Sequence, residues 1–461
     1  MKNRYATKEK EFLTFGKFFD ISFYLQFFSV VLIIIPNVNP YEGAQMYTSD
    51  INSTTDWWDV AAPTIPRLLS LEENLLKWHF FQIFILISAA YGFRKLLPVD
   101  KIVRVTHKVF YMIISYLVLT FSVLGSREGI AFSLTLLGIA LITKTKQNSY
   151  LIRYIKLVFA TIALILASQF KIASVVIISF LVFITIVKPW LKKSQMLLLG
   201  LFSFVVLPWG TFELDNYLTE TIQIQKTYPE QQVMLYDLAG VGCWSTSERA
   251  VDFANNALSE FLESKISDKE LCHFLVPYGW DSLKNYKVGG DNGEKWVPTT
   301  DENKFLNLQK HWTDLLIKFP KDWLEFKTNI MGQVFFMSNF YDRSGNLINM
   351  NNNEQPIAYN AFLVPVRILD KLFLLTYFIA FSFVIVSKII YKNIQINGSA
   401  IFILVTGVGV NILSYVADNG RYCLPYIVLF WTLVLRHNCH QNNKQNNEKV
   451  KKNFNESGAL L

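Results

Sequence analysis

The stretch "ISYLVLTFSVL" at Ile114–Leu124 carries no charge and no continuous polar stripe. A helix on the surface of a soluble protein needs such a stripe, because one of its faces must meet water. Runs of this kind recur along the chain, at lengths near the roughly 20 residues that carry a helix across a bilayer. They lie at 20–36, 79–93, 108–125, 129–143, 154–169, 172–188, 195–210, 372–390, 398–416 and 421–436. Charged residues make up only 17% of the chain and apolar residues 52%, whereas an ordinary soluble domain carries about 25% charge. A soluble helical protein with a large core would break these runs with polar faces. The expected fold is therefore an α-helical polytopic membrane protein with about 10 transmembrane helices.

Charge orients the spans. Lys2, Arg4, Lys8, Lys10 and Lys17 precede the first run, and Arg94, Lys95, Lys101, Arg104 and Lys108 lie between the second and third. Lys144, Lys146, Arg153 and Lys156 follow the fourth, Lys188, Lys192 and Lys193 the sixth, and Lys388 and Lys392 the eighth. With the basic tail from Arg436 onward, these segments form the cytoplasmic set, because cytoplasmic loops hold the lysine and arginine excess. Both termini are then cytoplasmic. The net charge of +8 follows from this orientation, so nucleic acid is not an expected partner. No small-residue cleavage site follows the first run, which reads as a retained span. The Lys-, Asn-, Ile- and Phe-rich composition suits a bacterial source, and the expected location is the inner (plasma) membrane.

The chain divides accordingly. Residues 1–210 form a transmembrane core with an outer loop at 37–78. Residues 211–371 form a large extracytoplasmic domain, 372–436 the C-terminal spans and 437–461 a polar cytoplasmic tail with the composition of a disordered segment. Within the outer domain "ERAVDFANNALSEFLESK" and "KFLNLQKHWTDLLIKFPKDWLEFKTNIMGQVFF" repeat apolar residues at helical spacing, the second broken at Pro320. "VGGDNGEKWVPTTDEN" reads as loop. Cys243 and Cys272 both fall in this outer segment, where a disulfide is chemically permitted. The four cysteines match no zinc or haem spacing, and no Gly-rich phosphate loop occurs.

Two groups of residues carry the candidate chemistry. The first outer loop, "YTSDINSTTDWWDVAAPTIPRLLS", holds Asp50, Asp56 and Asp59 around the tryptophan pair Trp57 and Trp58. In a short helix capped by Ser53 or Thr54, Asp56 and Asp59 share a face. Carboxylates at the membrane boundary can take a proton from an incoming hydroxyl or hold a divalent metal ion; a solvated acidic loop is the plainer explanation. Arg67, Arg127, Lys171 and Arg421 lie on the outer side against the positive-inside bias, three of them in tight turns. Their natural partner is an anion such as phosphate; lipid headgroups or the neighbouring Glu128 and Asp418 are the alternatives.

A cytoplasmic N-terminus, an acidic loop directly after the first span and a large outer loop after the seventh resemble the GT-C superfamily, membrane glycosyltransferases that use polyprenyl-phosphate-linked sugars. "QQVMLYDLAGVGCWST" resembles a hydrophobic-Asp-Leu/Ile-Ala-Gly-Ile segment of bacterial members. "HWTDLLIKFPKDWLEFKTNIMGQVF" is similar to their "W…I…P..YL..R" pattern, with Lys327 near the place of the basic residue. Where many members carry a "D-x-H-P-P"-like segment, this chain has "DWWDVAAPTIPRLLSL", with prolines and no histidine. The resemblance implies a catalytic carboxylate in the first outer loop: Asp50 by position, with Asp56 and Asp59 as competitors. It implies a donor phosphate held by Arg67, Arg127, Lys171 or Arg421, and contacts to sugar or acceptor from Trp57, Trp58 and Asp237. The partners would be a polyprenyl-phosphate-linked sugar, membrane lipid and a glycan, lipid or protein acceptor. An O-antigen-type polymerase shares the large outer loop and outer arginines but does not need the acidic loop. A non-enzymatic transporter of lipid-linked glycans would instead place charged or broken helices near the bilayer midplane.

Topology reporters fused after Lys146, Lys193 and Lys392 are expected to read cytoplasm, and fusions within 250–350 the outside. A cytoplasmic signal from the large loop overturns the orientation.

Overall fold

The computed structural model describes residues 18–37, 75–97, 105–123, 127–142, 150–170, 231–263 and 299–336, with short pieces at 205, 208–211, 213–214, 217, 228, 287–288, 294–295 and 429–432. The described chain is α-helical apart from one small hairpin. Helix α1 covers 18–29 and runs into a π-turn, Val30–Ile34, and a 3₁₀ turn, Ile35–Asn37. Helices α2 (Leu75–Leu96), α3 (Val105–Val123), α4 (Arg127–Ile142) and α5 (Tyr150–Phe170) follow. These five overlap the first five apolar runs of the sequence. The runs at 172–188, 372–390 and 398–416 lie outside the described residues, as does most of 195–210 and 421–436.

Side-chain contacts give the directions. Asp20 pairs with Arg94 at 2.6 Å, and further along Phe27 faces Ile87 across a groove, so α1 and α2 are antiparallel. Phe93 stacks near Tyr111, while Gln82 donates to the carbonyl of Val123 at 3.0 Å, so α2 and α3 are antiparallel too. Ile85 packs with Ile130, and Gly92 lies against Leu136, which makes α2 and α4 parallel. Gly138 meets Leu164 and Ala160, and Ala131 shares a cluster with Ala167, so α5 returns antiparallel to α4. The helices therefore alternate up and down. One end collects the start of α1, the end of α2 and the start of α3, with Lys108 5.6 Å from the Phe19 ring. The other collects the starts of α2 and α4 and the ends of α3 and α5.

The bundle has an apolar interior with buried polar side chains set into it, and large apolar side chains also cover its outer faces. Gln26 donates to the Met112 carbonyl at 3.2 Å and accepts from Ser115 at 2.6 Å. Gln82, Ser133 and Thr135 are buried and hydrogen-bonded. Outward, α1 and the π-turn after it show Ile21, Leu25, Phe28 and Leu32, α2 shows Phe80, Phe84, Ile87 and Tyr91, and α5 shows Ile155, Val158, Phe159 and Ile162, all exposed at helical spacing. Among the described residues one helix, Leu75–Leu96, is long and apolar enough to cross a membrane; five shorter apolar helices accompany it. Its 22 residues rise roughly 33 Å, against a hydrocarbon core of ~30 Å.

The second group of helices is α6 (Gln231–Trp244), α7 (Glu248–Leu262), α8 (Glu302–Lys318) and α9 (Pro320–Phe336). Helix α6 is central: Val233–Gly242 are all buried, and α7, α8 and α9 pack around it. The apolar core of this group is continuous with that of α1–α4. Asp301 caps α8, accepting from the backbone N–H groups of Asn303 and Lys304, and Lys318 lies in the last turn, where it complements the helix dipole. Phe319 leaves helical geometry at φ −130°, and Pro320 opens α9 at the position where its missing N–H costs nothing. Helices α7 and α8 are tied by Glu260, which takes Asn307 at 2.6 Å and His311 at 3.1 Å. The Asn307 hydrogen bond and the His311 ring hold the Glu260 carboxyl below the usual glutamate range. The stretch from Val288 is not wholly loop: β1 (Lys287–Val288) and β2 (Glu294–Lys295) pair antiparallel, Lys287 with Lys295 and Val288 with Glu294. The Gly-Gly-Asp-Asn-Gly run between them has the residues of a hairpin connection.

Gly92 is where α2 and α4 approach most demandingly: a methyl group there would lie 2.6 Å from the Leu136 carbonyl carbon. Backbone cannot step aside as a side chain can. Gly92→Ala is expected to lower stability by roughly 1–3 kcal/mol through overpacking. Gly210→Ala, with its nearest neighbour at 3.6 Å, should be close to neutral. Thermal unfolding of the detergent-purified chain measures both, and equal midpoints would contradict the close packing.

Candidate functional site

Asp237 is the one candidate site residue whose side chain the structure describes. It sits in the middle of α6, one turn before Gly240, and is fully buried. Its Oδ1 lies 2.5 Å from Nζ of Lys327 on α9, which is 1% exposed. Its Oδ2 accepts from two indoles, Trp312 Nε1 on α8 at 3.0 Å and Trp323 Nε1 on α9 at 2.8 Å. The Lys327 ammonium also stands 5.9 Å from the ring centres of both Trp323 and Phe326. One carboxylate thus gathers donors from two helices onto a third.

Local sequence explains the placement. Trp323 and Lys327 are four apart on α9 and share a face. Phe326, between them, lies against α6 where residue 240 has no side chain; a methyl at Gly240 would come within 2.1 Å of the ring. Tyr236 and Trp244 flank that ring at 5.6 Å each. At the top of α6, Ser245 donates to Asp322 at 2.5 Å and accepts from the Ser247 N–H, which joins the α6–α7 corner to the start of α9. Cys243 is disulfide-bonded; Cys272 lies outside the described residues. At the start of α6, Gln231 pairs its amide with the backbone of Thr299, accepting from N–H at 2.8 Å and donating to the carbonyl at 3.2 Å.

The arrangement chemically suits positioning. Both oxygens of Asp237 are engaged inside the helix group, and no surface of the residue reaches solvent. Trp312 and Trp323 are half-buried, so Asp237 fixes the orientation of two indoles that the helix group covers only in part. The sequence places Asp237 and Lys327 in two separate motifs; Trp312 and Trp323 stand in the same segment as Lys327, "HWTDLLIKFPKDWLEFK", where they read as pattern rather than as hydrogen-bond donors.

Of the anion-site residues, Arg127 is the first residue of α4, at the end of the bundle where α5 finishes with Phe170, one residue before Lys171. There Gln169 of α5 donates to the Thr211 carbonyl. Asp50, Asp56, Asp59, Trp57, Trp58, Arg67, Lys171 and Arg421 lie outside the described residues. Among the described residues no group of three or more histidine, cysteine or acidic side chains could hold a metal ion. No family model, no curated protein and no solved structure matches this chain.

Removing one partner of a buried pair typically costs about 3–5 kcal/mol, because the other charge is left uncompensated. Asp237→Asn and Lys327→Met should each destabilise the α6–α9 group by that order. The Asp237→Asn/Lys327→Met double variant keeps an acceptor for the indoles and leaves no lone charge, so it should be more stable than either single variant. Protease resistance of the purified chain reports this. If the double variant loses the sum of the two, the pair is not the coupling element.

Proposed function

We propose that this chain is a multi-pass membrane glycosyltransferase of GT-C type, moving a sugar from a polyprenyl-phosphate donor to a glycan, lipid or protein acceptor on the outer face of the membrane. The observation that carries it is the meeting of the two segments on which the family resemblance rests: the aspartate of "LYDLAG" and the basic residue of the "W…P..WL..K" segment form one buried pair. Two short segments that resemble a family separately gain weight when they are physical partners. The membrane setting is supported by the alternating apolar helices and by their outward rows of phenylalanine, leucine and isoleucine, which water would penalise and lipid would not.

In this reading the first outer loop supplies the chemistry. One of Asp50, Asp56 and Asp59 takes the proton from the acceptor hydroxyl; a divalent metal ion held by these carboxylates would make that hydroxyl more acidic, with the proton still passing to a base. Arg127, the first residue of α4, stabilises the charge that develops on the leaving phosphate together with Lys171, Arg421 and Arg67. Trp57 and Trp58 anchor the loop at the interface. Asp237 and Lys327 act through α8 and α9, holding the acceptor-side surface in shape.

The test is a lipid-linked sugar transfer assay on membranes carrying the full chain. One of Asp50→Asn, Asp56→Asn and Asp59→Asn, with Asp50 the first choice, should lower transfer by roughly 10²–10⁴-fold, the usual contribution of a general base. Protein amount and insertion should be unchanged. If all three variants keep near-full activity, the chain loses its proposed base, and a polymerase that needs no acidic first loop becomes the better explanation.

A further inference from the structure

A groove of about 460 Å³ opens sideways between α1 and α2, away from the proposed catalytic end. Its walls are Phe23, Phe27 and Phe28 on α1 and Ile87 and Ala90 on α2, with Tyr24 and Tyr91 at its edges. Arg94 and Lys95 close it at one end. That end belongs to the segments that the charge pattern assigns to the cytoplasm. The walls are not closed over: Tyr24, Phe28, Ile87 and Tyr91 are all exposed.

Arg94 is built into the groove rather than extended from it. Its guanidinium stands over the rings of Phe23 at 5.4 Å and Tyr24 at 5.1 Å. Nη2 pairs with Asp20 at 2.6 Å, whereas Nη1 is buried and finds no acceptor among the described residues. Asp20 balances one of the two cations, so the groove end keeps one positive charge. A fixed guanidinium with a donor to spare, a lysine beside it and an aromatic slot running away from both match an amphiphile with an anionic head and an apolar tail. From Arg94 back to Ile87 the slot follows α2 for roughly 10 Å, along the direction in which an acyl chain would run.

We propose that this groove binds one anionic phospholipid of the cytoplasmic leaflet, its phosphate at Arg94 and Lys95 and an acyl chain between Phe27, Phe28 and Ile87. Charge complementarity selects the head, and the apolar walls hold the tail. The inference rests on the membrane reading but not on the glycosyltransferase chemistry.

Native mass spectrometry of the detergent-purified full chain, titrated with dioleoyl phosphatidylglycerol and separately with dioleoyl phosphatidylcholine, tests it. One phosphatidylglycerol should be retained in preference to phosphatidylcholine. Lys95→Gln, and Ile87→Trp to fill the slot, should each weaken that binding by roughly tenfold, the size of one lost charge-assisted hydrogen bond or buried chain segment. Both leave the Asp20–Arg94 pair intact, so neither depends on tolerating a lone Asp20. Equal affinity for the two lipids, or a preference untouched by both variants, overturns the proposal. So does competition by inorganic phosphate at the same concentration, which would mark a free-anion site. A chain that fractionates without membranes or detergent would overturn the membrane reading as well, whereas an integral protein without the preference sinks this proposal alone.

Discussion

A buried carboxylate holds the α6–α9 helix group together. Desolvating a carboxylate and an ammonium costs several kcal/mol for each, and at Asp237 that cost is offset by an ion pair to Lys327 and two indole hydrogen bonds. The balance is sensitive to position. Lys327 reaches α6 only because Phe326 beside it can press against Gly240. Tyr236 and Trp244 then wall the ring. The helices α6, α8 and α9 are thereby tied at one point near their middles, and the Ser245–Asp322 contact and the Gln231–Thr299 pairing tie the ends of α6. Such a network gives orientation more than net stability, since a buried pair is weak evidence for stability by itself.

The apolar helices follow another logic. Gln82, Ser122, Ser133 and Thr135 are buried and bond to backbone carbonyls, and large apolar side chains lie on the outer faces as well as in the interior. Without a hydrophobic drive between helices in lipid, close backbone contact and internal hydrogen bonds would carry association, and Gly92 against Leu136 is such a contact. The π-turn at the end of α1 has a local cause. Pro36 has no N–H to continue the ladder, and the Ile35 N–H bonds back to the Val30 carbonyl, five residues earlier, as the helix widens.

These two parts share a continuous core, which gives a physical sense to the functional reading. A donor tethered by its lipid tail would approach at membrane depth, where α3, α4 and α5 turn, while an acceptor would meet a helix group whose shape is set by Asp237. The opposite end of the bundle, with Asp20, Arg94 and Lys108, lies away from that chemistry and carries the aromatic groove between α1 and α2.

Hydrophobic period and length alone were enough to place the first five apolar helices, because a run without a polar stripe has few other ways to be satisfied. The break at Pro320 was equally legible, since proline cannot continue a helix but can begin one. Helix α7 was readable from apolar spacing in "ERAVDFANNALSEFLESK". The hairpin at 287–295 was not, because two-residue strands leave too short a pattern for a period of two to show. Above all, the partners of Asp237 could not be read from the chain: Trp312 and Trp323 lie 75 and 86 residues away. Nothing local distinguishes a tryptophan that donates to a buried carboxylate from one that anchors an interface. That distinction is made by the crossing of α6 with α8 and α9, where the absence of a side chain at Gly240 decides which residues can meet.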